Sequence, residues 1–281
     1  MSSAHLVAFV TVVYPGMESY LPDFLESLDC QYNQDFELVL INDGLEHLET
    51  HFKKFERPFR ILDAEGNLST LRQRAFLQIR DLGFDFLIFG DSDDVYSPFR
   101  VERCVQALVD HEAFVHDFDM VDSKLNPILR SYLSQRLKKG FMLDSKFLNQ
   151  KNICGFSNTA IRSDLLVDLN FSPRWRVVDW PMFFQILQKT TDFLYEPISL
   201  TKYRQHDSNL ARLKKQDLES LLYTLEVRKL HFQTLIDMGF SLHFEQDANQ
   251  KNLDSLKKLS NLKDSVLNTP FWWEVDSTLF S

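Results

Sequence analysis

Glycine is scarce, 8 of 281 residues, and none of it forms a G-x-G-x-x-G run or a P-loop. That argues against a dinucleotide site of the usual kind and against a P-loop ATPase, so any phosphate would have to be held by metal and arginine. Cysteine is as sparse: Cys30, Cys104 and Cys154 are odd in number and far apart, without the paired spacing of zinc or redox sites. They read as reduced core thiols of a cytoplasmic protein. Positive charge is in deficit, with 31 Lys and Arg against 40 Asp and Glu and a net charge of −9. A general nucleic-acid binder needs a basic field to displace counterions, so that class is disfavoured, while a local basic pocket stays open. The apolar run Leu6 to Tyr14 is too short to span a bilayer. No Lys or Arg precedes Lys53, so a secretory n-region is not expected.

What is present is an ordinary globular balance, 44% hydrophobic and 25% charged, enough for one large domain or two intimately packed halves. Leu6 to Tyr14 reads as a buried strand broken by Pro15-Gly16. Leu21, Phe24, Leu25 and Leu28 follow at helical spacing, with Pro22 in the first turn. Phe36 to Asn42 is a second strand ending in the turn Asn42-Asp43-Gly44, and Phe59 to Leu62 a short third. From Asn67, the apolar positions Leu68, Leu71, Ala75, Ile79 and Leu82 predict a helix whose other face carries Arg72, Arg74 and Arg80. Phe84 to Gly90 is a fourth strand, with a helix beginning near Pro98. Four such alternations imply an open α/β sheet, and ligands bind these sheets at the carboxyl ends of the strands. Tyr14, Asp43 and the Asp91 region all fall there.

The fourth strand ends in Asp91-Ser92-Asp93-Asp94, three carboxylates in four positions. On extended backbone Asp91 and Asp93 point the same way, about 7 Å apart, and a divalent cation would relieve their repulsion. Oxygen ligands on an open strand end suit magnesium or manganese better than zinc. A solvated acidic turn, or capping of the next helix, is the plainer alternative. Past Asp110, Ala113 to Val121 alternates like a strand with one wet face, and the basic run Ser131 to Gly140 reads as a loop. Asp179-Trp180-Pro181 opens a helix with Asp179 at its N-cap. Beyond Tyr203-Arg204-Gln205-His206 the chain turns helical, with one stripe through Leu218, Leu221, Leu222, Leu225 and Phe232 and another through Leu253, Leu256, Leu259 and Val266. Trp175, Trp180 and the segment Pro270-Phe-Trp-Trp-Glu274 read mainly as packing, with acceptor stacking or a membrane or partner contact as alternatives.

This order of features resembles the GT-A glycosyltransferases of the inverting family 2. The likeness runs from about Val7 to Asn209, over Val10 through Gln31, Asn42-Asp43-Gly44, Ser69-Thr-Leu-Arg72-Gln-Arg-Ala75, Asp91-Ser-Asp93-Asp94-Val-Tyr-Ser-Pro98, Asp179 and Tyr203-Arg204-Gln205-His206. It implies a mainly parallel, Rossmann-like nucleotide-sugar half over 1–110, an acceptor half over 111–210 and a C-terminal helical extension over 211–281. Tyr14 and Asp43 would lie around the nucleotide base with Arg72 near it. Asp91 would lie against the ribose, with Ser92 among the donor contacts. Asp93 would hold the Mn2+ or Mg2+ that bridges the diphosphate, His206 would complete that metal site or touch the diphosphate, and Asp179 would be the general base. Three features depart from the family: Asn42 replaces the first of two acids, Val13-Tyr14-Pro15 replaces a Pro-Thr turn, and Val178 stands where a Glu commonly precedes the base.

The implied partners are a nucleotide-sugar donor and a glycan or lipid-linked glycan acceptor, in surface polysaccharide biosynthesis. The implied location is the cytoplasm, with peripheral association at the inner face of the membrane left open, as is the oligomeric state. Two rivals stand beside this. Asp91-Ser-Asp93-Asp94-Val95 also resembles the nucleophile motif of haloacid-dehalogenase-type phosphatases, although that motif usually sits on the first strand. A non-catalytic GT-A-like binding module is the other.

Overall fold

The computed structural model describes residues 5–63, 66–137, 145–149, 152–206, 209 and 218–258. Lys138 to Gly140 of the expected loop, Leu259, Val266 and Pro270 to Glu274 lie outside the described residues. The parallel part of the sheet is formed by β1 (Val7–Val13), β2 (Glu37–Asn42), β3 (Phe59–Asp63) and β4 (Phe86–Asp91), in the order 3-2-1-4. Three helices connect or follow these strands: α1 (Leu21–Asp29), α2 (Leu68–Asp81) and α3 (Arg100–Asp110). Every residue of β1 is buried because the sheet is covered on both faces, which is why its sequence is a continuous apolar run. Alternate side chains feed two cores. Ala8, Val10, Leu87 and Phe89 pack with α2, and Phe9, Leu38, Phe86 and Ile88 pack with α1 and α3.

The second half extends the same sheet with mixed strand directions. After β5 (Val95–Tyr96) come β6 (Ala113–Asp122), β7 (Pro127–Leu129), a single helical turn α4 (Ser145–Leu148), β8 (Thr159–Arg162), α5 (Asp179–Leu187) and β9 (Phe193–Gln205). β8 joins β4 and β6 antiparallel, while β9 runs parallel to β6 and antiparallel to β5. The wet face expected of β6 is absent, since its alternate residues enter both cores, Ala113 and Val115 one and Phe114 the other, and eight of its ten residues are buried. The sequence does not announce β9, because its burial alternates irregularly, Pro197 interrupts it, and the pairing with β6 slips register between His116 and Phe118.

α6 (Leu218–Asp237) and α7 (His243–Lys257) pack on each other through Leu221, Leu225, Leu253 and Leu256. α6 also packs on the body. Trp175 and Trp180 are core residues, with the indole N–H of Trp175 donating to Thr234 Oγ1 at 2.6 Å and that of Trp180 donating to the Leu148 carbonyl at 2.7 Å. Of the cysteines, all free, Cys104 and Cys154 are buried but Cys30 is exposed just past α1, which corrects the expectation of three core thiols.

Candidate active site

Register brings the strand ends together. Val13 of β1 pairs with Asn42, and Val12 pairs with Asp91, so Tyr14, Asp43 and Asp91 emerge side by side at the carboxyl edge. A cavity of about 500 Å³ opens there, lined by Tyr14, Asp43, Arg72, Asp91, Asp93 and Asp179 among others. The turn at Asn42 needs Gly44, at φ +84°, a backbone region that costs a residue with a Cβ. Asn42 serves that turn: its Oδ1 accepts the Leu45 N–H at 2.9 Å.

Close packing fixes the acidic turn. A Cβ at Gly90 would come within 2.5 Å of the Phe9 ring and 2.6 Å of the Tyr96 hydroxyl, which is why the residue before Asp91 has no side chain. That hydroxyl donates to the Asp91 carbonyl at 2.7 Å. Ser92 is buried, its Oγ donating to the Val12 carbonyl at 2.9 Å, so it braces the turn against β1 instead of lining the cavity. Asp91 and Asp93 both line the cavity, as the alternation expected. The Asp93 carboxylate meets His206, Oδ2 to Nε2, at 2.7 Å. Asp94 is fully buried, and its Oδ1 accepts the Arg204 backbone N–H at 2.8 Å.

This crowding has an electrostatic consequence. Burial, then repulsion from Asp93 and Asp179, pushes the Asp91 carboxyl up to about 7, opposed by a hydrogen bond from Ser157 and by the Arg72 charge. Burial, then repulsion from Asp93 and Asp91, pushes Asp94 well above the usual carboxylate range, and Tyr14 is raised by burial and by Asp93 and Asp91. Acids that resist ionisation for want of a counter-charge are the environment a cation relieves. Among the described residues no group of three or more His, Cys, Asp and Glu side chains is arranged to hold a metal. Asp93 and His206, joined by their direct contact, would supply two ligands to an ion of the kind that takes few protein ligands and fills the remaining positions with phosphate oxygens and water.

Asp179 is the first residue of α5, and Val178 is the N-cap. The expected capping role is thus replaced by an ion pair, in which Arg72 donates through Nη1 to Asp179 Oδ1 at 2.6 Å. Arg72 lies in the second turn of α2, whose start is capped by Asn67 Oδ1 accepting from the N–H groups of Ser69 and Thr70. Its guanidinium sits 4.7 Å from the Phe156 ring centre. Arg72 and Asp179, 107 residues apart, are therefore in direct contact.

The sequence reading did not single out Ser157. Its Oγ donates to Asp91 Oδ2 at 2.7 Å, and its carbonyl accepts from Thr201 Oγ1 at 2.7 Å. It belongs to the tight turn Gly155-Phe-Ser-Asn158, in which the Asn158 side chain accepts the Gly155 N–H and donates to the His116 and Ile153 carbonyls. A Gly-x-Ser-Asn cluster between apolar runs is the available turn signal. Arg176 also lines the cavity, its guanidinium over the Tyr223 ring of α6 at 5.5 Å.

The fold and this cavity define a GT-A glycosyltransferase. A mannosyltransferase from Pyrobaculum calidifontis, solved in complex with GDP-Man and Mn2+, superposes with a TM-score of 0.62 at 13% identity over 91% of this chain and 74% of its own. The family model for glycosyl transferase family 2 matches residues 8–169, and the chain belongs to that family. An uncharacterized glycosyltransferase of Methanocaldococcus jannaschii is 24% identical over 81% of each chain. A teichoic acid poly(glycerol phosphate) polymerase of Staphylococcus epidermidis is 24% identical over 45% of this chain and 17% of its own length. The phosphatase alternative falls with the family assignment.

Proposed function

We propose that this enzyme moves a sugar from a nucleotide-diphosphate donor to a hydroxyl of a glycan or lipid-linked glycan acceptor in one metal-dependent, inverting displacement. The supporting observation is that three segments distant in sequence, Asp91-x-Asp93, Arg72 and Asp179, line one cavity at the strand ends, with His206 bonded to the Asp93 carboxylate. Tyr14 and Asp43 stand on the base side, and Asp91, held by Ser157, on the ribose side. Ser92 acts through the backbone it braces. Asp93 and His206 would hold Mg2+ or Mn2+, which would supply Lewis-acid stabilisation of the departing diphosphate. Arg72 occupies Oδ1 of Asp179 and fixes the carboxylate, leaving Oδ2 to take the proton of the incoming hydroxyl. Such a base contributes about 10²- to 10⁴-fold. With base and leaving group on opposite faces of the sugar, a single displacement inverts the anomeric carbon and needs no covalent intermediate.

We assign residues 1–110 to the donor half, 111–210 to the acceptor half and 211–281 to a C-terminal extension, whose described helices α6 and α7 pack on each other, with α6 also against Trp175 and Trp180; the parallel-to-mixed change at β4 and β8 supports the division. The GDP-Man and Mn2+ of the Pyrobaculum relative and the polymer product of the Staphylococcus relative favour a sugar nucleotide donor and a surface polysaccharide. Free thiols fit a reducing cytoplasm, and no helix among the described residues is long and apolar enough to cross a membrane. The test is a panel of UDP- and GDP-sugars, with and without Mn2+, read by thermal stabilisation. A ligand at about 100 times its Kd adds about 2.7 kcal/mol. The matching donor should stabilise both wild type and Asp179→Asn, and only the variant should lose transfer. No stabilisation by any donor, with or without the ion, would refute the reading.

A further inference from the structure

The segment leading into α5 carries an arginine on each side of a pinned tryptophan. Trp175 is buried, its backbone N–H donating to the Ser172 carbonyl at 3.0 Å and its indole N–H to Thr234 of α6, so the flanking chain is held against that helix. Arg174 finds an acid on α6, Asp237, at 3.8 Å. Arg176 is matched instead with the ring of Tyr223, whose centre lies 5.5 Å from its guanidinium, and among the described residues it forms no ion pair. It stands three residues before Asp179 and lines the same cavity.

A ring face attracts a guanidinium through its quadrupole and engages none of its N–H groups, so the planar fork of donors at Arg176 stays available to a ligand. The two arginines of the cavity lining therefore differ: Arg72 is neutralised by Asp179, and Arg176 is not. In an inverting displacement the leaving group and the base lie on opposite faces of the sugar, so a cation beside the base meets the incoming molecule. A hydroxyl offers such a fork a single acceptor atom, whereas phosphate and carboxylate match it with two. Resting on the reading that Asp179 is the base of a glycosyl transfer, we propose that Arg176 recognises an oxyanion, phosphate or carboxylate, carried by the acceptor. Tyr223 of the C-terminal extension is the positioning residue that holds its guanidinium at the cavity.

The experiment is saturation-transfer NMR on the full chain, in EDTA and without donor. The probes are glycerol phosphate and glucuronate, with glycerol and glucose as their neutral counterparts. Wild type should bind at least one oxyanion probe more tightly than its neutral counterpart, and the tighter of the two identifies the anion. Arg176→Gln should raise the Kd of that probe about tenfold, the effect of losing one charge-assisted contact, and leave the neutral compounds unchanged. Tyr223→Leu should raise it about threefold, the effect of an exposed cation–π contact, and Tyr223→Phe should restore it. Both side chains are exposed, so melting temperatures should stay close to that of wild type. An oxyanion bound no better than its neutral counterpart, or bound equally by wild type and Arg176→Gln, would overturn the proposal; wild-type affinity in Tyr223→Leu would overturn the positioning role. Stabilisation of Arg176→Gln by nucleotide sugar and Mn2+ should equal that of wild type, and a selective loss there would assign Arg176 to the leaving group instead. Absence of donor stabilisation in wild type itself refutes the transfer reading, an outcome separable from the donor-free titration.

Discussion

The Arg72 to Asp179 contact yields the most direct quantitative prediction, because it joins the donor side to the proposed base. The two side chains are 12% and 23% exposed and 2.6 Å apart. Taking the charge centres as about 4 Å apart, the Coulomb attraction at an effective dielectric of 20 is about 4 kcal/mol, an upper bound before desolvation and side-chain ordering. A fully exposed pair retains only about 0.2–1 kcal/mol, and hydrogen bonds to charged groups are worth about 1.5–3 kcal/mol. Partial burial places the pair between these, at about 2 kcal/mol. Unfolding entropy of about 2.1 cal/mol/K per residue gives 281 residues about 0.6 kcal/mol per degree, so the coupling should appear as about 3 °C. The assay is a double-mutant cycle in melting temperature with Arg72→Met, Asp179→Asn and both together, without donor or metal. The single variants should be non-additive by that amount. Additivity within 0.5 °C would show that the pair does not form in solution and would remove the account of how the base is held.

Two further predictions concern the scaffold of the site. Gly90→Ala drives a methyl into the Phe9 ring and the Tyr96 hydroxyl, so overpacking should cost about 1–3 kcal/mol. It should also weaken donor binding, since the displaced hydroxyl holds the Asp91 carbonyl; wild-type stability with wild-type donor affinity would refute this. His231 is buried in α6 with no hydrogen-bond partner for either ring nitrogen among the described residues, and burial with the nearby Arg228 charge lowers its pKa to about 3. A folded-state pKa below the unfolded value of about 6.5 means that its neutral form stabilises the fold above pH 6.5, and stability is lost as pH falls below that. The raised carboxyls of Asp91 and Asp94 act in the opposite direction, so the measurement is a difference. Between pH 7 and pH 5, wild type should lose about 2 kcal/mol relative to His231→Leu. Parallel pH profiles would contradict the neutral buried assignment.

The parallel part of the sheet was legible in the sequence because β1, β2 and β4 are buried on both faces and the polar turns of the cavity sit directly at their ends. Runs such as Val7 to Val13 and Phe86 to Gly90 carry that information locally. The pairing of Asp93 with His206 followed from the resemblance, although 113 residues separate them. The mixed part of the sheet was harder to read. β9 is a 13-residue strand without clear alternation, because it pairs with β6 along most of its length, takes β5 on its other edge only at Thr201 and Lys202, and bulges near Pro197. The Arg72 to Asp179 pair, the Ser157 bond to Asp91 and the Arg204 bond to Asp94 are long-range polar contacts. No local spacing encodes them; they exist only after the sheet has aligned α2, α5 and the Gly155 turn.

The central claim is that the acids closing β4 grip a cation that holds the donor's diphosphate. A crystal structure with Mn2+ and the donor selected by thermal stabilisation tests it most directly. The ion should bridge Asp93, His206 and the diphosphate, with Asp179 facing the sugar. A nucleotide bound elsewhere, or bound with no ion between these side chains and the diphosphate, would contradict the account.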